Sequence, residues 1–218
     1  MRAHEICEMF SGRVCGRQGF LLSQFKPGNI LDIGNIGGLE GVGPSNSFYL
    51  SLSEKLKQAS TLYGFDLFPP PDRCAALYPR QKGGNIENGL PYEDSFFDTV
   101  YMGQVIEHLR NPGYALKEIS RVLKADGVLI VDTPNAYHWK KLLAFVFLKK
   151  ESLGDPTHQF LFTPASLISF LEKGGFRIGE LAEKDSSWTR LLPSIARKGL
   201  GTSLLVSAMK ATSSAISR

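Results

Sequence analysis

The stretch Asn29 to Gly38, NILDIGNIGG, holds the first residues able to do chemistry. Ile30, Leu31 and Ile33 form a short apolar run suited to a buried strand. Gly34, Gly37 and Gly38 then permit positive φ and let backbone N–H groups approach a ligand with no Cβ in the way. A strand running into such a turn is how a nucleotide pocket begins, and Asp32 could bond the ligand or order the turn. A glycine turn with a purely structural purpose reads the same way. A second acid, Asp66, closes the strand-like run TLYGFD (61–66), ahead of the breaker Pro69-Pro70-Pro71. In a doubly wound sheet, parallel neighbours set their carboxyl ends side by side, where Asp66 could accept both hydroxyls of a ribose. Capping a helix terminus is the other role open to it.

These residues need strands that end together and helices that cover them. Residues 4–25 mix apolar and polar positions at roughly helical spacing up to Pro27-Gly28, which predicts a lead-in helix within 1–26. After the glycine turn, Ser45 or Ser47 could cap a helix reaching Gln58, with Phe48, Leu52, Leu56 and Ala59 on one face. A short helix is expected around Asp72 to Tyr78, and an edge segment from Gly83 to Ile86. FDTVYM (97–102) is a strand, Gln104 to Leu109 turns into a helix, Pro112 opens another running to Leu123, and Val128 to Asp132 is a further strand. Thr163-Pro164 starts a helix that Gly174-Gly175 stops, and 176–181 and 203–209 read as closing strands. Strands alternating with helices at this spacing predict βαβ units and a parallel sheet with right-handed crossovers.

Composition narrows the classes. At 218 residues and 43% hydrophobic the chain reads as one domain over 1–210 with a flexible tail at 211–218. Within that domain, 27–135 is the core, 136–175 a lid and helix, and 176–210 the closing strands. Cys7, Cys15 and Cys74 form no CxxC pair and have no His at ligand spacing, so neither disulfides nor a metal site is expected, and a reducing cytoplasm fits. No apolar run approaches the roughly 20 residues that span a bilayer. The net charge of +4 is uneven: after Asp185, the last acid, only basic residues carry charge. Five such charges are too scattered for a nucleic-acid stripe, and no nucleic-acid partner is expected. The apolar stretch 139–148 between Lys140-Lys141 and Lys149-Lys150 reads as a lid or core helix, or as a patch for peripheral membrane contact.

Four blocks in order, ILDIGNIGG, YGFD, NIENGLPYEDSFFDTVYMGQVIEHLRNPGYALKEISRVLKADGVLIVDTPN and HQFLFTPASLISFLEKGGF, make residues 27–181 resemble class I S-adenosylmethionine-dependent methyltransferases of the small-molecule branch, which includes quinone and sugar methylating enzymes. The third block is the specific one. The resemblance implies an α/β, Rossmann-like, doubly wound sheet of seven strands, mostly parallel with an antiparallel edge strand, and S-adenosylmethionine as cofactor. It implies that Asp32, Gly34, Ile36 and Gly38 shape the pocket for the methionine part, that Asp66 holds the ribose, and that Asn85 and Ile86 meet the adenine. Gly103 and Gln104 would lie near the cofactor's amino-acid end. Two positions depart from the pattern: Ile36 replaces the middle glycine of GxGxG, and Asn85 stands where Asp is usual. A β-branched residue resists positive φ, so the Ile36 loop must differ in path or move aside. A dehydrogenase reading fails because GxGxxG is absent.

Methyl transfer from a sulfonium needs mainly alignment, and a hydroxyl acceptor gains from a general base, for which His is suited near neutral pH. His158, at a family position that borders the active site, is the expected base or substrate contact, with His138 the next candidate. His108 is assigned a structural hydrogen bond. The expected reaction is methylation of a small-molecule hydroxyl, on a sugar or a lipid-linked precursor. The alternative is a partner-binding scaffold whose cofactor site is closed by Ile36.

Overall fold

The computed structural model describes residues 10–35, 60–68, 79–149, 155–184 and 200–211. The helices expected over 45–58 and 72–78, the positions Ile36 and Gly38, and residues 212–218 lie outside that set. In chain order the elements are β1 (Phe10–Cys15), α1 (Arg17–Gln24), β2 (Asn29–Ile33), β3 (Thr61–Asp66), β4 (Arg80–Gly83), β5 (Phe97–Gly103), α2 (Pro112–Val122), β6 (Leu123–Pro134), α3 (Trp139–Leu148), α4 (Pro164–Lys173), β7 (Phe176–Lys184) and β8 (Ser203–Lys210). Single 3-10 turns at Ile86–Asn88 and Ile106–His108 follow β4 and β5.

All eight strands join one sheet in the order β1-β7-β8-β6-β5-β2-β3-β4. The run from β6 to β4 is parallel throughout, and β8 is the antiparallel member, paired with β6 on one side and β7 on the other. The expected seven-stranded, mostly parallel Rossmann-like sheet is therefore present, with its antiparallel strand toward one margin, and β1 extends it by pairing in parallel with β7.

The lead-in helix is corrected in part, because among the described residues of 10–26 only Arg17–Gln24 is helical and Phe10–Cys15 is strand. Periodicity alone could not show this, since an edge strand is decided by the partner it finds. The Gln104–Leu109 helix shrinks to a 3-10 turn, the edge segment moves back to Arg80–Gly83, and β6 begins at Leu123, well before Val128.

Alternation along the strands fills two cores, as a sheet covered on both faces requires. Leu31, Ile33, Leu129 and Val131 face α2 and α4, meeting Leu116, Ile119, Leu167 and Leu171. Ile30, Val128 and Ile130 face the other way, with Phe20 and Leu21 of α1. α2 starts where Asn111 caps and Pro112 occupies the first turn, and α4 starts on a full capping box between Thr163 and Ser166. No residue of α3 is buried, which removes the core-helix reading and leaves a lid or an interfacial patch. Among the described residues no helix is long and apolar enough to cross a membrane.

The loop 90–94 is fastened to α2 by Arg121 and Glu118. Arg121 donates to the carbonyls of Leu90 and Tyr92 and to Asp94, while the Glu118 carboxylate takes Arg121 and the Leu90 N–H at 2.9 Å. These are the side chains of the LPYED and LKEISRVL blocks. The hydrogen bond from Arg121 holds the Glu118 carboxyl below its ordinary range. A carboxylate depressed in the fold stabilises above its unfolded pKa, and that stability is lost as pH falls through the folded value. Glu118→Gln should therefore unfold at lower urea than the wild type at pH 7, with the gap closing as the pH is lowered past the carboxylate range. A gap that is constant with pH would show that the charge contributes nothing.

Candidate functional site

Parallel strands β2, β3, β4 and β5 end on the same side of the sheet, and a cavity of about 450 Å³ opens there. Its walls come from the residues that directly follow each strand, as the rule for open α/β sheets predicts. After β2 the chain turns at Gly34, with φ +80°, and its N–H donates to the Phe65 carbonyl at 2.8 Å. A Cβ at Gly34 would run into Val105 Cγ2, so glycine answers both the φ and the close approach. At the end of β3, Asp66 is nearly buried; its Oδ1 accepts the Phe68 N–H at 3.0 Å, and its side chain contributes to the cavity wall.

After β4, Asn85 caps the 3-10 turn by accepting from the Glu87 N–H at 2.9 Å, and Ile86 lies buried at the cavity wall. The amide oxygen of Asn85 has a second lone pair for a ligand donor. Gly64 of YGFD has a reason the sequence did not disclose. Asn35 and Gln81 exchange two side-chain hydrogen bonds, at 2.8 and 3.1 Å, passing directly over it, and a Cβ there would collide with both amides.

Gln104, after β5, sits at φ +57°, a conformation that costs an ordinary residue about 1–3 kcal/mol. Asp132 at the end of β6 holds it there. The Asp132 carbonyl accepts the Gln104 N–H at 2.7 Å, and its Oδ1 accepts the Gln104 carboxamide at 2.8 Å. The other carboxylate oxygen of Asp132 pairs with Arg17 of α1. Burial pushes the Asp132 carboxyl up, and the Arg17 guanidinium pulls against that.

Beside Gln104, the 3-10 turn presents Glu107 and His108. Glu107 is fully buried and accepts the Thr133 hydroxyl at 2.9 Å, and burial pushes its carboxyl up to about 7 against that hydrogen bond. His108 lines the cavity; burial, with His158 adding to it, holds its imidazole below the ordinary value. The segment 155–163 crosses this corner: Gln159 and Phe160 donate their N–H groups to the Glu107 carbonyl, and the His158 ring meets His108 edge-on at 4.6 Å between centroids.

The structure thus brings Gly34, Asp66, Asn85, Ile86 and Gln104 around one cavity and sets His158 one ring away from its wall. Asp32 and Gly103 are buried within β2 and β5, outside the residues that line it. His138 caps the start of α3 beside Trp139, also outside the lining. Sequence reasoning missed Thr157, Val105 and the Arg17–Asp132 pair. It favoured a structural hydrogen bond over catalysis for His108; that bond is there, to Thr157 at 2.8 Å, and the ring also lines the pocket. Only the adjacency of EH to strand β5 offered a signal.

A family model described as a methyltransferase domain matches residues 41–131. A curated relative from Mycolicibacterium smegmatis, described as a probable S-adenosylmethionine-dependent methyltransferase, is 33% identical over 105 residues, 47% of this chain and 38% of that protein. The match thus spans well under half the length of that relative. Among solved structures, a SAM-dependent methyltransferase from Aquifex aeolicus superposes with a TM-score of 0.61 at 17% identity, covering 97% of this chain and all of the other. The [4+2]-cyclase SpnF gives 0.60 at 18% identity, covering 89% of this chain and 80% of the other. At such identities the likeness is one of fold.

Proposed function

We infer that this chain, whose fold is that of the class I S-adenosylmethionine-dependent methyltransferases, binds S-adenosylmethionine and methylates a small-molecule acceptor, at a hydroxyl oxygen of a sugar or a lipid-linked precursor. The observation that carries this reading is the cavity ringed by Gly34, Asp66, Asn85, Ile86 and Gln104. Its volume lies within the range of about 300–1,000 Å³ usual for cofactor pockets. Asp66 suits a ribose diol, Ile86 the face of an adenine and Asn85 its amine, while Gly34 and Gln104 leave room for an amino-acid arm. When bound, the cofactor supplies a methyl group on an already activated sulfur.

What remains for the chain is alignment and the acceptor's proton. The His108–His158 pair stands at the cavity rim, and a neutral His108 can accept that proton or pass it to His158. Turnover of the true acceptor by His158→Ala should fall by roughly 10²–10⁴-fold; unchanged turnover would remove His158 from the reaction.

The competing reading is a scaffold of this fold with an impaired cofactor site, favoured by Ile36 at the glycine position. SpnF, a cyclase, illustrates that a related fold serves other chemistry. Isothermal titration with S-adenosylmethionine and S-adenosylhomocysteine, with Asp66→Ala as control, separates the two. Micromolar binding that disappears in the control is the expected result. Folded protein that binds neither would leave the scaffold.

A further inference from the structure

We propose that Glu107, His108 and His158 form a binding site for a divalent transition-metal cation of the zinc class, opening toward the cavity on the His108 side. One ligand atom from each lies within 4.8 Å of those of the other two. No spacing in the sequence suggested this, and the expectation of no metal site rested on cysteines and on His spacing within one segment. Here the fold supplies the third ligand from the crossing segment 155–163.

Three features of the cluster point to a cation. Glu107 is completely buried, and its Oε1 has no hydrogen-bond partner among the described residues, although Oε2 takes the Thr133 hydroxyl. A buried carboxylate oxygen left without a donor is costly unless something positive occupies it. His108 is already held in the form a metal requires. The Thr157 hydroxyl donates to Asp155 at 2.6 Å, so its oxygen accepts from His108 Nδ1–H at 2.8 Å, which leaves the Nε2 lone pair to point elsewhere. A ligating imidazole characteristically has its second nitrogen tied in this way, directly or through a relay, to a carboxylate or carbonyl. Finally, the two ligand-bearing segments are joined by backbone: the N–H groups of Gln159 and Phe160 both donate to the Glu107 carbonyl, fixing His158 opposite His108.

Two imidazoles and one carboxylate are the donor set of catalytic zinc centres, and they select against magnesium and calcium, which prefer all-oxygen shells. Three protein ligands leave a coordination position open, and His108 is the ligand that lines the cavity. An acceptor oxygen occupying that position would be acidified by the cation, with the imidazoles serving as ligands instead of bases. That consequence rests on the methyl-transfer reading; the binding of the cation does not. Lys141 of α3 lies close enough to the Glu107 carboxylate to interact with it, and its ammonium opposes an incoming cation.

The test is titration of the full-length chain with Co²⁺, read by visible absorption and by displacement with Zn²⁺. The expected result is one Co²⁺ per chain, with ligand-field bands that Zn²⁺ abolishes. His158→Ala should weaken binding by at least roughly tenfold, Thr157→Val by roughly 10–100-fold through loss of the imidazole's orientation, and Lys141→Met should tighten it. His158 and Thr157 are not core residues, so these variants keep the fold, which circular dichroism verifies. Absence of submillimolar Co²⁺ binding to folded wild type overturns the proposal, as does binding that His158→Ala leaves unchanged. S-adenosylmethionine titration of the same samples reports independently on the cofactor site.

Discussion

Arg17→Ala is expected to lose about 3–5 kcal/mol of stability, because it strips the partner from a carboxylate with no exposed surface. Asp132 would keep the Gln104 carboxamide as a donor, which does not neutralise it. In the variant the Asp132 carboxyl keeps, beside that bond, only the weaker pull of Lys184 against its burial, so its folded pKa rises further above the unfolded one. Such a group binds more protons folded than unfolded, and stability then falls as pH rises between the two values. Urea denaturation of Arg17→Ala should show a penalty that is large at pH 7 and shrinks toward pH 4. Adding Asp132→Asn should recover part of the loss at pH 7, since it removes the stranded charge. A penalty below about 1 kcal/mol at pH 7, in the range of exposed pairs, would show that the ion pair is not the buried contact described here. The same variant loosens Gln104, which needs Asp132 to hold its left-handed backbone, so S-adenosylmethionine affinity should fall alongside stability.

Phe97→Ala should cost a similar amount, about 3–5 kcal/mol, for a different reason. Phe97 is fully buried, and its ring meets Tyr92, Phe96 and Tyr63 edge-on with centroids 4.9, 5.0 and 5.3 Å apart. Truncation removes apolar burial and three favourable ring geometries together, and leaves a hole that rigid neighbours cannot fill. Phe97→Leu should cost markedly less, since it retains most of the volume. Equal losses for the two, measured by chemical denaturation, would show that ring geometry and not filled volume dominates this cluster. Tyr63 lies on β3, the strand that delivers Asp66, so the pocket is affected through its foundations.

Much of this architecture was legible from local chemistry. β2, β3 and β5 announce themselves because strands covered on both faces must be mostly apolar, and each is a short run dominated by apolar residues between turn signals. α2 and α4 do so because Asn111-Pro112 and Thr163-Pro164 satisfy the free N–H groups of a first turn. Gly34 and Asp66 were legible for the same reason, each being the residue that a strand end and a turn demand. What escaped was whatever a distant partner decides. Phe10–Cys15 carries no alternation of its own and becomes strand only by lying along β7. Gly64 is explained by two amides, one just beyond β2 and one on β4, and the Arg17–Asp132 pair by the packing of α1 under β6. Glu107, His108 and His158 acquire a shared purpose only after segment 155–163 folds back across the end of the sheet. His138 looked equally plausible on sequence grounds, but the turn after β6 carries it to the start of α3 instead.

The position of β8 has a consequence for how the chain reaches this state. β7 and β1 hydrogen-bond to each other, but neither pairs with β6; among the described residues the only ladder linking them to the other five strands runs through β8, the last of the described strands in the chain. During synthesis β2 to β6 can zip up in sequence, whereas β7 must wait beside an unclosed edge until residues 203–210 arrive and are threaded between two strands already present. Closing such a long-range contact late is slow. The rate-limiting event in folding should therefore be the insertion of this one strand, and a nascent chain halted before it should be held by chaperones at an open β6 edge.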